Sequence, residues 1–190
     1  VPPGEWRWNM PAMLFHGMSD NGLRRSHNED CFLVLSERDL IGVADGMGGA
    51  AAGEVASKMF TEAALETFLS AAVDGEQALL NRLRDTFMLA NQRIIHHTKL
   101  NPSMVGMGCT AELMAFFGGR FALGHVGDSR AYLFRRGKLK QLTRDHSVVQ
   151  EQLDSGIITS IDALTHPMRH VILRAVGVRE ELAVDLITGS

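Results

Sequence analysis

Cysteine is almost missing from this chain, with 2 in 190 residues. Cys31 and Cys109 lie in strand-like segments and read as buried small hydrophobes. That excludes a disulfide framework and points to a reducing compartment, the cytoplasm. A dominant charge sign is missing too: 19 Lys and Arg face 22 Asp and Glu, a net charge of −3. Arg24-Arg25 and Arg135-Arg136 are too small to make a nucleic-acid footprint. No apolar run is long enough to cross a bilayer. The opening Val1-Pro2-Pro3-Gly4-Glu5-Trp6-Arg7-Trp8 has no basic stretch followed by an apolar one, so no signal peptide is expected. Internal repeats, low-complexity tracts and linkers are lacking as well. What remains is one soluble domain, 45% hydrophobic and 22% charged, long enough for a real core.

The segments 31–35 and 40–44 read as two strands around the polar turn Ser36-Glu37-Arg38-Asp39. A symmetric hairpin pairs Leu35 with Leu40 and Phe32 with Val43. Both faces are apolar, Phe32, Val34, Ile41 and Val43 on one and Cys31, Leu33, Leu40 and Ala44 on the other. That pattern predicts a strand pair covered on both sides. Upstream, residues 1–12 form an irregular arm rich in proline, and 14–19 reads as a strand. Downstream, helices are predicted over 54–72, with a stripe of Val55, Met59 and Ala63 and a wider apolar face of Met59, Phe60, Ala63, Ala64 and Phe68, and over 76–100, with Leu80, Leu83, Phe87, Ala90 and Ile94. Short strands follow at 109–117, 121–127, 131–135, 138–142 and 182–187. A helix over 147–155 opens on a Ser147–Gln150 capping box. The order predicts an α+β layered fold with two packed sheets and helices outside.

Continuing the hairpin register sets Asp30 opposite Asp45, which closes the apolar run before Gly46-Met47-Gly48-Gly49. Opposed residues of this kind sit roughly 5 Å apart at Cβ, and like charges there repel. Such a pair needs a cation or a raised pKa. Oxygen donors without a nearby thiol or His pair suit Mg²⁺ or Mn²⁺ rather than Zn²⁺. Arg25 either grips a phosphate beside that ion or neutralises Glu29 and Asp30 in a surface network. The glycine stretch fits a dinucleotide fingerprint only loosely, because Asp45 would face the pyrophosphate. Gly127-Asp128-Ser129-Arg130 offers a nucleophilic serine, a metal carboxylate at Asp128, or a plain turn. Of the histidines, His146 stands out within Thr143-Arg144-Asp145-His146-Ser147.

Several motifs fall in one order: Ser19-Asp20-Asn21-Gly22, Arg25-Ser26-His27-Asn28-Glu29-Asp30, Ala44-Asp45-Gly46-Met47-Gly48-Gly49, Gly108-Cys109-Thr110-Ala111, Val126-Gly127-Asp128-Ser129-Arg130, Leu142-Thr143-Arg144-Asp145-His146-Ser147 and His166-Pro167-Met168-Arg169. The ordered set resembles the bacterial metal-dependent protein phosphatases of type 2C, the PPM family, from about residue 13 onward. The resemblance implies a four-layer α-β-β-α sandwich with two central antiparallel sheets and two Mn²⁺ or Mg²⁺ ions at one edge, with a third in bacterial members. It implies that Asp45 bridges both ions, that Gly46 supplies a carbonyl ligand, and that Glu29 and Asp30 hold metal-bound water. Asp128 resembles a ligand of the third ion, and Arg25 the arginine that grips the substrate phosphate. Met47 stands where some members carry a histidine proposed as general acid, which leaves the proton donor open. The implied reaction is hydrolysis of phosphoserine and phosphothreonine in proteins by a metal-bridging hydroxide, with phosphoproteins of a kinase system as partners.

One departure matters. Family members continue with a Ser-Asp-Gly motif and later an Asp-Asn motif, whose aspartates complete one metal position. Asp154, Asp162 and Asp185 match neither, so residues 13–190 read as a phosphatase domain lacking its C-terminal segment. Impaired turnover is expected of it. The competing reading is a noncatalytic phosphatase-like binding or regulatory module, and a serine esterase using Ser129 stands third.

Overall fold

The structure, a computed structural model, describes residues 13–49, 52–70, 73 and 75–190. The expected arm, 1–12, lies outside them. Strand β1 (Asp30–Leu35) turns through a 3-10 segment, Ser36–Arg38, into β2 (Leu40–Met47). Asp39 closes the turn in the left-handed region at φ 50°, a conformation that a short polar side chain tolerates. The four-residue turn is symmetric, so Leu35 pairs with Leu40, Phe32 with Val43 and Asp30 with Asp45, as the sequence predicts.

Helices α1 (Ala52–Ser70) and α2 (Glu76–Leu100) follow, then β3 (Gly108–Phe117) and β4 (Arg120–Val126) around the Gly118-Gly119 turn. A separate ribbon comprises β5 (Tyr132–Arg135) and β6 (Lys138–Gln141). Short helices α3 (Val148–Asp154) and α4 (Ser160–Thr165) precede β7 (Asp185–Gly189). The main sheet is antiparallel, in the order β1-β2-β3-β4-β7.

The core lies between this sheet and the two long helices. Leu33, Leu35, Leu40, Ala44, Ala111 and Leu113 meet Ala56, Phe60, Ala63, Leu83, Phe87 and Ile94, all buried. Phe60 and Phe87 pack edge to face with centroids 4.9 Å apart. The α1 stripe runs through Ala56, Phe60, Ala63 and Ala64, with Val55 and Met59 only partly buried at its margin. Small residues win that face because the helix lies close against β2.

One expectation is met in part and two are corrected. The two central sheets reduce, among the described residues, to one five-stranded sheet and the two-stranded β5-β6 ribbon. The second face of β1 and β2 therefore stays open, and Phe32 and Val43 are 41% and 46% exposed. Residues 14–19 form no strand. They run over that open face instead, where Phe15 packs 5.7 Å from Phe116. The last strand begins at Asp185 rather than 182, because Leu182 and Val184 turn toward the helical core. Helix α4 was not anticipated; a capping box between Thr159 and Asp162 holds a helix too short to show a period. No helix of the described residues is long and apolar enough to cross a membrane.

Candidate metal and phosphate site

The β1-β2 hairpin ends, away from its turn, in the ladder pair Asp30 and Asp45. Alternation along a strand points both side chains to the open face, beside Phe32 and Val43. With Ser19, Met18 and Ser129 they line a cleft of about 240 Å³. Water reaches Asp45 from that cleft, while protein crowds its other side. Loss of hydration and the charge and hydrogen bond of Asp30 push its carboxyl up to about 6; Asp128 adds to the rise and Arg25 opposes it.

Glu29 alternates to the helical side. Its carbonyl accepts from Gly46 N at 3.0 Å and from Ser57 Oγ at 2.7 Å, which stitches β2 and α1 together behind the cleft. Glu29 Oε1 is buried without a hydrogen-bond partner, and Oε2 stands 3.8 Å from Arg25 Nη1. Gly46 has no room for a side chain: a Cβ there would strike the carbonyl of Gly53 and come within 2.6 Å of the Glu29 carbonyl oxygen. Glycine lets the strand end and the first turn of α1 meet backbone to backbone. That contact also closes the first glycine to a pyrophosphate, against the dinucleotide reading.

Asp128 arrives at the same end of the sheet from beyond β3, on the turn after β4. Gly127 takes φ +116°, and the hydroxyls of Thr110 and Ser129 bond at 2.6 Å. Arg130 grips Asp145 in a fork, Nε to Oδ1 at 2.8 Å and Nη2 to Oδ2 at 2.6 Å. Burial, then Asp145, raises the Asp128 carboxyl above its ordinary range. Ser129 has no histidine hydrogen-bonded to it among the described residues, so a serine nucleophile would lack its base.

Asp30 and Asp45 thus meet directly, and Asp128 is near enough to load Asp45 further. Arg25 pairs with Glu29 at long range and is 66% exposed, free to swing toward a ligand. The donors fit a hard divalent cation: opposed carboxylates and an orphaned buried oxygen are both relieved by one. Among the described residues no three His, Cys, Asp or Glu side chains close around one point. The side chains supply part of a coordination shell.

Sequence reasoning missed a buried row across the open face. Glu112 and His125 are ladder partners joined through Oε1 and Nδ1, with Asp185 next in line. Burial pushes Glu112 up to about 7. The signal was available once β3 and β4 were paired around Gly118-Gly119. The Arg130–Asp145 fork could likewise be read from the Arg136-Gly137 turn, which folds those two segments together.

Residues 13–152 match the family model described as protein phosphatase 2C. The serine/threonine protein phosphatase PstP of Mycobacterium tuberculosis is 42% identical over 166 residues, which cover 86% of this chain and 31% of that protein. The serine/threonine phosphatase stp of Listeria monocytogenes is 38% identical over 176 residues, 88% of this chain and 68% of that one. The chain thus spans about a third of its mycobacterial relative and two thirds of the listerial one. Among solved structures, that of the M. tuberculosis phosphatase PstP/Ppp superposes with a TM-score of 0.82 at 38% identity, covering 90% of this chain and 71% of that chain. The PstP catalytic domain in complex with two manganese ions superposes at 0.79 and 37% identity, with coverage of 90% and 70%. The chain belongs to the protein phosphatase 2C family.

Proposed function

We propose that this chain carries the phosphate-recognising half of a metal-dependent protein serine/threonine phosphatase. The Asp30–Asp45 pair is the observation that carries the reading, since folding holds two carboxylates opposite each other and lifts Asp45 to about 6. Asp45, the Gly46 carbonyl, Glu29 and Asp30 would hold Mn²⁺ or Mg²⁺, and Asp128 a further ion. When bound, such ions supply Lewis acidity toward phosphoryl oxygens and lower the pKa of water. The chain's own part is recognition and orientation. Arg25, exposed and close enough for its charge to act on Asp45, offers a planar fork to a phosphate dianion. Asp30 accepts hydrogen bonds from water positioned beside the phosphate, and Met18 and Phe32 keep one cleft wall apolar. Phosphoserine and phosphothreonine of proteins modified by a kinase are the proposed substrates. In the complete domain the open face of β1 and β2 would carry a second sheet, giving the α-β-β-α sandwich.

One observation favours the noncatalytic module for these 190 residues alone. Asp154 is paired with Arg144, Asp162 caps α4, and Asp185 binds His146 and Arg174. None of the three is free to complete a metal position. The test is Mn²⁺ calorimetry on the chain beside phosphopeptide turnover. Weak Mn²⁺ binding, abolished in Asp45→Ala, with little turnover is the expected result. Mn²⁺ affinity unchanged in Asp45→Ala would overturn the metal assignment, and robust turnover would overturn the impaired reading.

A further inference from the structure

His146 is 3% exposed, in a segment that has no part in the proposed site. It grips Gly127 twice. Its backbone N–H donates to the Gly127 carbonyl at 2.7 Å, and its ring Nδ1 accepts from the Gly127 N–H at 3.1 Å. Residue 127 cannot hold its own conformation: φ is +116°, and a side chain there would come within 3.0 Å of Thr110 Cα. Glycine is required, and glycine is the residue most in need of outside restraint. The very next residue is Asp128.

An acceptor Nδ1 fixes the tautomer, since the ring's one proton must then sit on Nε2. Asp185 Oδ2 stands 3.2 Å from Nε2 to take it. Arg174 Nη1, 3.1 Å from the same nitrogen, donates one of its two hydrogens to Asp185 Oδ1 at 2.9 Å. The backbone of residue 146 is anchored further by Leu173 N–H donating to its carbonyl at 2.7 Å. On the other face the His125 ring stacks with centroids 4.5 Å apart. His125 already faces Glu112 and the Arg144 carbonyl, so a second charged ring against it is disfavoured. The Gly127, Asp185 and His125 contacts of the imidazole are thus consistent with one neutral form.

We propose that His146 is a positioning residue: neutral and protonated on Nε2 by its bond to Asp185, it holds the Gly127 amide through Nδ1 and so fixes the direction in which Asp128 leaves β4. The chain Asp185–His146–Gly127 makes the edge strand β7 part of the support of the site. This is the acid–histidine–ligand logic of metal centres, with a backbone amide in the ligand's place. The clamp itself is independent of any metal, and only its consequence for Asp128 rests on the metal reading above.

Side-chain ¹⁵N shifts of the unaltered chain test the tautomer without any substitution; the Nε2–H form is expected, and an Nδ1–H or doubly protonated ring overturns the proposal. Hydrogen exchange at the Gly127 amide tests the bond. In His146→Asn, whose Oδ1 can replace Nδ1 as acceptor, that amide stays protected. In His146→Leu it exchanges roughly tenfold faster, the scale of one lost hydrogen bond, while the Leu113 amide in the sheet centre keeps its wild-type rate. Equal Gly127 exchange in His146→Leu and wild type overturns the clamp. Mn²⁺ calorimetry then separates the two readings. If Asp128→Asn weakens binding, His146→Leu must weaken it too and His146→Asn must restore it. If Asp128→Asn changes nothing, the metal role of Asp128 falls while the Gly127 amide still decides the clamp.

Discussion

Glu112 shows what a single buried ionisable side chain does to this protein. It lies 5% exposed at the centre of the sheet, with Oε1 on His125 and Oε2 without a hydrogen-bond partner. Burial is the main reason its carboxyl rises from 4.5 to about 7, against the pull of His125. Its partner His125 is also raised, because Glu112 outweighs burial there. Both folded values lie above the unfolded ones, so both contribute stability at low pH and lose it as pH climbs. Thermal stability should thus fall as pH rises through the window from 4.5 to about 7. Glu112→Gln should flatten that slope and gain on the order of 2 kcal/mol on its alkaline side, read from melts at a series of pH values. Gly46 is the second case. Gly46→Ala should cost about 1–3 kcal/mol by overpacking against Gly53 and Glu29 and separate α1 from the end of β2, visible in chemical denaturation and in loss of Mn²⁺ binding.

At the scale of elements, the long helices and the first hairpin were legible because their patterns are local. Leu83, Phe87, Ala90 and Ile94 recur at helical spacing and are all fully buried in α2. Phe87 also fills the space beside Gly124, where a Cβ would meet its ring at 2.6 Å, and it abuts Phe60. Phe87→Ala should therefore cost about 3–5 kcal/mol, measured as a shift in denaturation midpoint at unchanged slope. The segment at 14–19 reads as a strand from its own few residues, yet a strand needs a partner edge. Gly17 lies against the Phe32 ring, so the segment crosses β1 face-on instead of pairing beside it. Helix α4 escaped for the opposite reason, since six residues held by one capping box carry no periodic signal.

Across the whole molecule the two faces of the sheet differ in kind. One is sealed by α1 and α2. The other presents Phe32, Val43, Ile41 and Met114 toward a cavity of about 480 Å³ bounded by His16, Tyr132 and Leu142. A contiguous exposed apolar patch of this sort binds hydrophobic dyes and promotes association. The 190-residue chain should bind such a dye while folded, and Phe32→Thr with Val43→Thr should cut the signal severalfold at a cost of about 1 kcal/mol or less, as both sites are half open. A dye signal unchanged by the pair would place the patch elsewhere.

Sequence alone determined the family, the hairpin register and hence the meeting of Asp30 with Asp45, because a symmetric turn and a period of two leave no freedom between residues so close along the chain. Tertiary structure decided which face of that hairpin is covered, that Glu29 turns beneath α1 while Asp30 faces the cleft, and that His146 reaches Gly127. Those outcomes depend on where segments up to a hundred residues apart come to rest, and packing among them, rather than any local pattern, sets the choice.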